Sequence, residues 1–183
     1  MSKRIVFILA DGFEEMEAII PIDLLRRIDL DVVVAGLDTL HVTGAHKLML
    51  STDCAIEDLS TAGVAAVVLP GGMPGSMNLR NSKDVTDFVA EIYREGGIVA
   101  AICAAPIALA QAGVLKGKKA TVYPGFEDKM PDAICTGARI ERDGNLLTAK
   151  GAGVSFEFAA ALAEMLGKGP EIKKTLAGMF CKE

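Results

Sequence analysis

Cys103 stands in Ala101-Ile102-Cys103-Ala104-Ala105, after an apolar run with strand character and before an Ala-rich run with helical character. A thiol at a strand-to-helix junction is presented on a sharp turn, and small neighbours let that turn close. This is the arrangement of a hydrolase nucleophile elbow, with sulfur in place of oxygen and Ala in place of Gly. The helix that follows aims free N–H groups and its positive end at the sulfur, which predicts a thiol more acidic than the ordinary value of about 8.5. The same segment also reads as a small hydrophobe in an Ala-rich core. Its residues alone leave both readings open.

Two further segments carry groups that a reactive thiol would use. Gly71-Gly72-Met73-Pro74-Gly75 follows an apolar strand-like run. The Gly72 N–H, joined by that of Ala104, would supply two donors to a developing oxyanion, with Gly71 lining the pocket. The glycines match neither the Gly-x-Gly-x-x-Gly dinucleotide pattern nor a Gly-Lys-Ser/Thr phosphate loop, so a plain connecting turn is the competing reading. Glu17 lies one helical turn past the first strand, on the side of Phe13 and Ile20 by spacing. A carboxyl among apolar groups stays protonated to higher pH and would exchange a proton with a neighbouring sulfur; a solvated residue of an acidic first turn is the alternative. His41 and His46 have no context that points to a catalytic base and read as loop or surface residues. Tyr123, just before Pro124, either borders the pocket or simply packs.

Other chemistries are excluded by composition. Cys54, Cys103, Cys135 and Cys181 are far apart, with no C-x-x-C pair, and the two histidines share no helical metal-binding spacing. Neither a metal, a cofactor nor a disulfide framework is expected. The net charge of −5 argues against nucleic acid and anionic membranes as main partners, since both demand clustered Lys and Arg. The densest positive stretch, Lys116, Lys118 and Lys119, reads as a solvated loop. The apolar run 5–10 is too short for a secretory signal. The longer run 98–115 approaches the length of a membrane span, yet Pro106 and Gly113 interrupt it, so it reads as a buried strand and then a helix. A cytoplasmic location is expected.

These residues need elements to hold them. Continuous apolar runs at 5–10, 64–69 and 98–102 read as strands covered on both faces, and 31–37 reads as a second strand in chain order. Helical patterns follow at 14–27, 82–95 and 104–112, the first with a kink or break at Pro21 and the second with Ser82 as N-cap. The stretch 40–59 shows only short strand-like pieces near Val42 and 48–50, and a strand at 120–122 stops at Pro124. Asp143-Gly144-Asn145 signals a hairpin between strands at 139–142 and 146–149, and helices at 155–166 and 171–180 close the chain. Alternating strands and helices imply an α/β domain over 1–183, a mostly parallel sheet with helices on both faces and a small antiparallel addition. Ligands of such sheets sit at the carboxyl ends of the strands near the topological switch point. That rule selects 11–17, 71–75 and 103–106, the three segments singled out above.

Taken together, GFEEMEAIIPIDLLRR (12–27), VVLPGG (67–72), AAICAAP (100–106), EDKMP (127–131) and GAGVSFEFA (151–159) resemble the ThiJ/PfpI superfamily in its DJ-one branch, that of the Parkinsonism-associated protein deglycase. The resemblance implies a flavodoxin-like three-layer sandwich of the class I glutamine amidotransferase type, and a homodimer. It also implies a reactive cysteine at Cys103, a partner carboxyl at Glu17 and backbone donors at Gly72 and Ala104. The sequence departs from the pattern in places. Protease-type members carry His after the cysteine where this chain has Ala104, so peptidase activity is not expected. The animal deglycase has a pocket His where this chain has Tyr123, and His46 stands near the position of a family Arg. The implied function is that of a cysteine-dependent stress-response protein acting on reactive dicarbonyls or glycated protein, through glyoxalase- or deglycase-type chemistry. The competing expectation is a redox-sensing or chaperone-like protein whose Cys103 is oxidised to a sulfinic acid held by Glu17.

Overall fold

The computed structural model describes residues 4–181. In chain order the elements are β1 (Arg4–Leu9), α1 (Glu15–Arg27), β2 (Val32–Gly36), β3 (His41–Thr43), β4 (Met49–Ser51), β5 (Cys54–Ala55) and β6 (Val64–Leu69). They continue with α2 (Gly75–Asn81), α3 (Lys83–Arg94), β7 (Ile98–Ile102), α4 (Pro106–Gln111), β8 (Lys119–Ala120) and β9 (Ile134–Cys135). β10 (Ile140–Asp143), β11 (Leu146–Ala149), α5 (Ser155–Met165) and α6 (Gly169–Gly178) complete the fold.

Seven strands form the main sheet in the order β10-β11-β7-β6-β1-β2-β5, parallel throughout except for the β10–β11 hairpin at one edge. Side chains alternate between its faces, as the two-residue period of a strand requires. Ile5, Phe7 and Leu9 pack with Phe158 and Leu162 of α5 on one side, and Val6 and Ile8 pack with Val85 and Ile92 of α3 on the other. Burial on both faces is why β1 from Ile5 onward, β6 and β7 are unbroken apolar runs. The result is a three-layer α/β sandwich. From β1 the chain moves to β2 on one side and later to β6 on the other, so the topological switch lies between β1 and β6.

α1 carries acidic Glu15 and Glu17 in its first turn and Arg26 and Arg27 in its last, as the helix dipole favours. It runs through Pro21 without the expected break. Proline there removes only the bond to the Glu17 carbonyl, and burial of Pro21, Ile22, Leu24 and Leu25 holds the next turns in place. Ser82 does cap α3, its Oγ accepting from the Val85 N–H at 3.3 Å. The short helix α2 was not visible in the glycine-rich sequence before it. The pieces near 42 and 48–50 become the separate β3–β4 hairpin. The strand expected at 120–122 shrinks to two residues that leave the main sheet and pair with β9. Side chains take over that ladder: the Thr121 N–H donates to Thr148 Oγ1 at 2.9 Å, and Thr121 Oγ1 donates to the Ala138 carbonyl at 2.7 Å. The apolar run 98–115 is β7 followed by α4, and among the described residues no helix is long and apolar enough to cross a membrane.

Candidate functional site

Cys103 is the first residue after β7, and its backbone is left-handed at φ +62°. For a residue with a β-carbon that conformation costs on the order of 1–3 kcal/mol and must be enforced by its surroundings. Two hydrogen bonds do so, from the Cys103 N–H to the Ala149 carbonyl at 2.9 Å and from the Tyr123 N–H to the Cys103 carbonyl at 2.8 Å. β11 and the loop after β8 therefore set the elbow from both sides.

Glu17 is fully buried at the start of α1. Its backbone N–H is fixed by the carboxylate of Glu14, which caps the helix at 2.8 Å. Its Oε2 accepts from the Gly71 N–H at 2.8 Å, and the Gly71 carbonyl accepts from the Glu14 N–H, also at 2.8 Å. The other oxygen, Oε1, is shut off from solvent without a well-aligned partner, and the adjacent Cys103 thiol is the group to which the carboxyl is coupled. Gly71 makes the approach possible: a Cβ there would lie 2.5 Å from Glu17 Oε2 and 2.6 Å from Cys103 Cβ. Gly72 is equally constrained, with φ +90° and the Glu14 nitrogen and Gly12 carbonyl oxygen each 2.4 Å from where a Cβ would stand.

Burial raises the Glu17 carboxyl to about 7, with the Glu14 charge acting the same way against the hydrogen bonds of Cys103 and Gly71. The thiol overturns the sequence reading, which expected it below its ordinary value. Burial pushes Cys103 up to about 12, and the charge and hydrogen bond of ionised Glu17 push in the same direction. The N–H groups of Ala104 and Gly72 both point at the sulfur and pull downward without prevailing. A helix of six residues, which starts only at Pro106, has too little dipole to offset desolvation and a carboxylate at contact distance. The two acids therefore titrate as a unit.

The structure thus brings together Glu17, Gly71, Gly72, Cys103 and Ala104. Tyr123 is half exposed at the rim, its ring edge-on to Phe126 at 6.5 Å and its backbone bonded to Cys103. His41 is exposed on β3, its Nδ1 3.2 Å from Ser51 Oγ. His46 is exposed too, but it has a partner that the sequence did not disclose. Glu15, in the first turn of α1, is only 4% exposed. Its Oε1 accepts from the His46 N–H at 2.7 Å, and its Oε2 lies 2.7 Å from His46 Nδ1. Burial raises the Glu15 carboxyl, but the His46 hydrogen bonds and backbone amides outweigh it and hold it below its usual range, while Glu15 raises His46. Together with Glu14 these groups place ligand atoms within 4.8 Å of one another, yet the carboxylates already serve as helix cap and hairpin anchor. No short-range signal ties position 46 to position 15.

A parallel sheet whose switch-point loops converge on a strained thiol and a buried carboxyl defines a sandwich protein with a cysteine nucleophile elbow. The chain belongs to the DJ-1/PfpI family, whose sequence pattern matches residues 3–165. It is 41% identical over 170 residues to the Parkinson disease protein 7 homolog of Danio rerio, with 90% of each chain covered. A Pyrococcus abyssi protein named as a deglycase is 32% identical over 165 residues, covering 89% of this chain and 99% of that one. Among solved structures, a DJ-1 superfamily protein of Salmonella typhimurium, crystallised as a cysteine-to-alanine mutant, matches with a TM-score of 0.94 at 32% identity. That match covers 99% of this chain and 100% of the other.

Proposed function

We propose that this protein acts on reactive dicarbonyls such as methylglyoxal, or on their early adducts with proteins, through the sulfur of Cys103. The observation that carries the reading is the pairing of Glu17 with Cys103 beneath the N–H groups of Gly72 and Ala104. When the pair has lost one proton, it is either carboxylate plus thiol or carboxylic acid plus thiolate. In the second form Glu17 donates to the sulfur and no longer repels it, and the two N–H groups support the anion. That form is the nucleophile.

The thiolate adds to the aldehyde carbon, and the carbonyl oxygen takes the proton from Glu17 to give a hemithioacetal. Glu17, now ionised, removes the C–H proton of that carbon to give an enediol; the hydroxyl proton passes to the neighbouring oxygen and Glu17 returns its proton to the neighbouring carbon, leaving a lactoyl thioester. Water hydrolyses the thioester to lactate and restores the thiol, so the balance is methylglyoxal plus water to lactate. As the carbonyl oxygen gains charge, the Gly72 and Ala104 N–H groups are close enough to the sulfur to serve it as well. The similar Pyrococcus protein named as a deglycase supports this substrate class. We expect Cys103→Ser to lose lactate formation from methylglyoxal by roughly a thousandfold or more, since loss of a covalent nucleophile can cost up to about 10⁶ in kcat. Equal rates in wild type and variant would end the proposal.

One observation favours a second reading, a redox sensor with little turnover. Glu17 Oε1 is buried without a well-aligned partner beside the sulfur, where a protonated carboxyl would donate to an added oxygen. Peroxide would supply that oxygen, one molecule giving sulfenic acid and water, and a second giving sulfinic acid and water. Peptide mapping after mild peroxide should place two oxygens on Cys103; equal oxidation of all four cysteines would count against it.

A homodimer fits both readings. Its candidate contact groups are the exposed apolar side chains Met16 and Ile19 of α1, Leu48 and Met49 of the β3–β4 hairpin and Phe156 of α5.

A further inference from the structure

α2 and α4 begin beside the Gly71–Gly72 loop and Cys103 and pack against each other. Near their other ends, Arg80 and Gln111 line a cleft of about 260 Å³, together with Lys116, Lys129 and Asp132. Three cations thus meet one carboxylate in a protein whose overall charge is −5. Elsewhere Arg26, Arg27, Arg139, Arg142 and Lys118 are paired with carboxylates. Among the described residues, Arg80, Lys116, Lys129 and Asp132 form no ion pair.

Arg80 is the partly buried cation of the set. Its Nε is closed to solvent and has no hydrogen-bond partner. Its place in the last turn of α2 gives a favourable dipole interaction but leaves that N–H unsatisfied. Lys116 comes from the turn after α4, and Lys129 ends a single 3-10 turn (Glu127–Lys129). The loops are tied together by the Gly117 N–H bonded to the Asp132 carbonyl at 2.8 Å, so the positive groups are prearranged.

We propose that this cleft binds a phosphoryl group, as inorganic phosphate or on a small phosphomonoester. Three positive charges against one negative suit a dianion, and the guanidinium fork matches its oxygens. The volume falls just under the usual range for small-molecule pockets, about 300–1,000 Å³, which suits a phosphoryl group with a short arm rather than a dinucleotide. Asp132 repels the phosphoryl oxygens and accepts instead from a hydroxyl of the organic arm. The site is independent of the thiol chemistry.

Amide chemical shifts of the intact protein, titrated with inorganic phosphate and separately with glycerol phosphate at constant ionic strength, test it. Saturable shifts at 111–117 and 129–133 are expected. Lys129→Gln, at an exposed position, and Arg80→Gln should each weaken binding roughly tenfold, the loss of one charge-assisted contact. Tighter binding of glycerol phosphate that disappears in Asp132→Asn identifies a phosphomonoester; equal affinities identify phosphate itself. Non-saturating shifts, or affinities unchanged in both Lys129→Gln and Arg80→Gln, overturn the proposal.

Discussion

Glu17 and Cys103 meet across the bare α-carbon of Gly71, which approaches both so closely that a methyl group there would lie 2.5 Å from the carboxylate and 2.6 Å from the cysteine Cβ. The Ile102 carbonyl oxygen, 2.9 Å away, closes the remaining side. The pair is therefore held by α1, the loop after β6 and the end of β7 at once, and each of its properties depends on that confinement.

Gly71→Ala should force the acid and the thiol apart. We expect a loss of about 1–3 kcal/mol in stability, the usual cost of overpacking a tight site, seen as a lower urea midpoint. Alkylation of Cys103 should change with it, because the carboxyl would no longer contact the sulfur. A variant as stable as wild type would mean that the surrounding loops yield easily.

Glu17→Gln removes the charge that raises the thiol but retains a donor. Thiolate absorbance should then titrate at lower pH than in wild type, where Cys103 is pushed up to about 12. Glu17→Leu removes charge and donor together, so its titration should fall between the two. A Gln variant titrating above wild type would contradict the coupling.

The same carboxyl sets a pH dependence of folding. Its ordinary value is 4.5 and its folded value about 7, so between these the folded protein binds more protons than the unfolded chain. Stability contributed by Glu17 is then fully present below 4.5 and lost as pH rises through about 7, a change of about 3 kcal/mol at roughly 1.4 kcal/mol per unit. Urea unfolding followed from acid to neutral pH should show wild type losing stability relative to Glu17→Gln. Parallel curves for the two proteins would reject the assignment.

Glu15 anchors the β3–β4 hairpin to α1 through the His46 and Leu48 amides. Glu15→Ala leaves those donors without their charged acceptor and should cost about 1.5–3 kcal/mol, the range for hydrogen bonds to a charged group. Hydrogen exchange should speed up at His46 and Leu48 while amides of β6 and β7 stay protected. Uniform acceleration across the sheet would show instead that the anchor stabilises the whole fold.

Much of this was readable from local pattern. The apolar runs at 5–10, 64–69 and 98–102 signalled strands buried on both faces because no polar residue interrupts them. Ser82 announced α3, and Gly144 marked the β10–β11 turn, since caps and tight turns depend on neighbouring residues alone. The strand–thiol–helix junction at Cys103 was legible for the same reason. Other features were not. Pro21 looked like a break because the burial that holds α1 together comes from distant strands, and the strand at 120–122 failed because Thr121 bonds to Thr148 and Ala138 instead.

What the amino-acid order determined by itself was the succession of elements and the kinds of groups at the ends of β1, β6 and β7. Tertiary structure alone decided how those groups act on one another. Glu15 and Glu17 are both acids in one helical turn, yet one is held ionised by a hairpin 31 residues away and the other is kept near its proton by burial against Cys103. Ionisation follows dielectric surroundings and contact partners, and those are properties of three-dimensional packing that no run of neighbouring residues encodes.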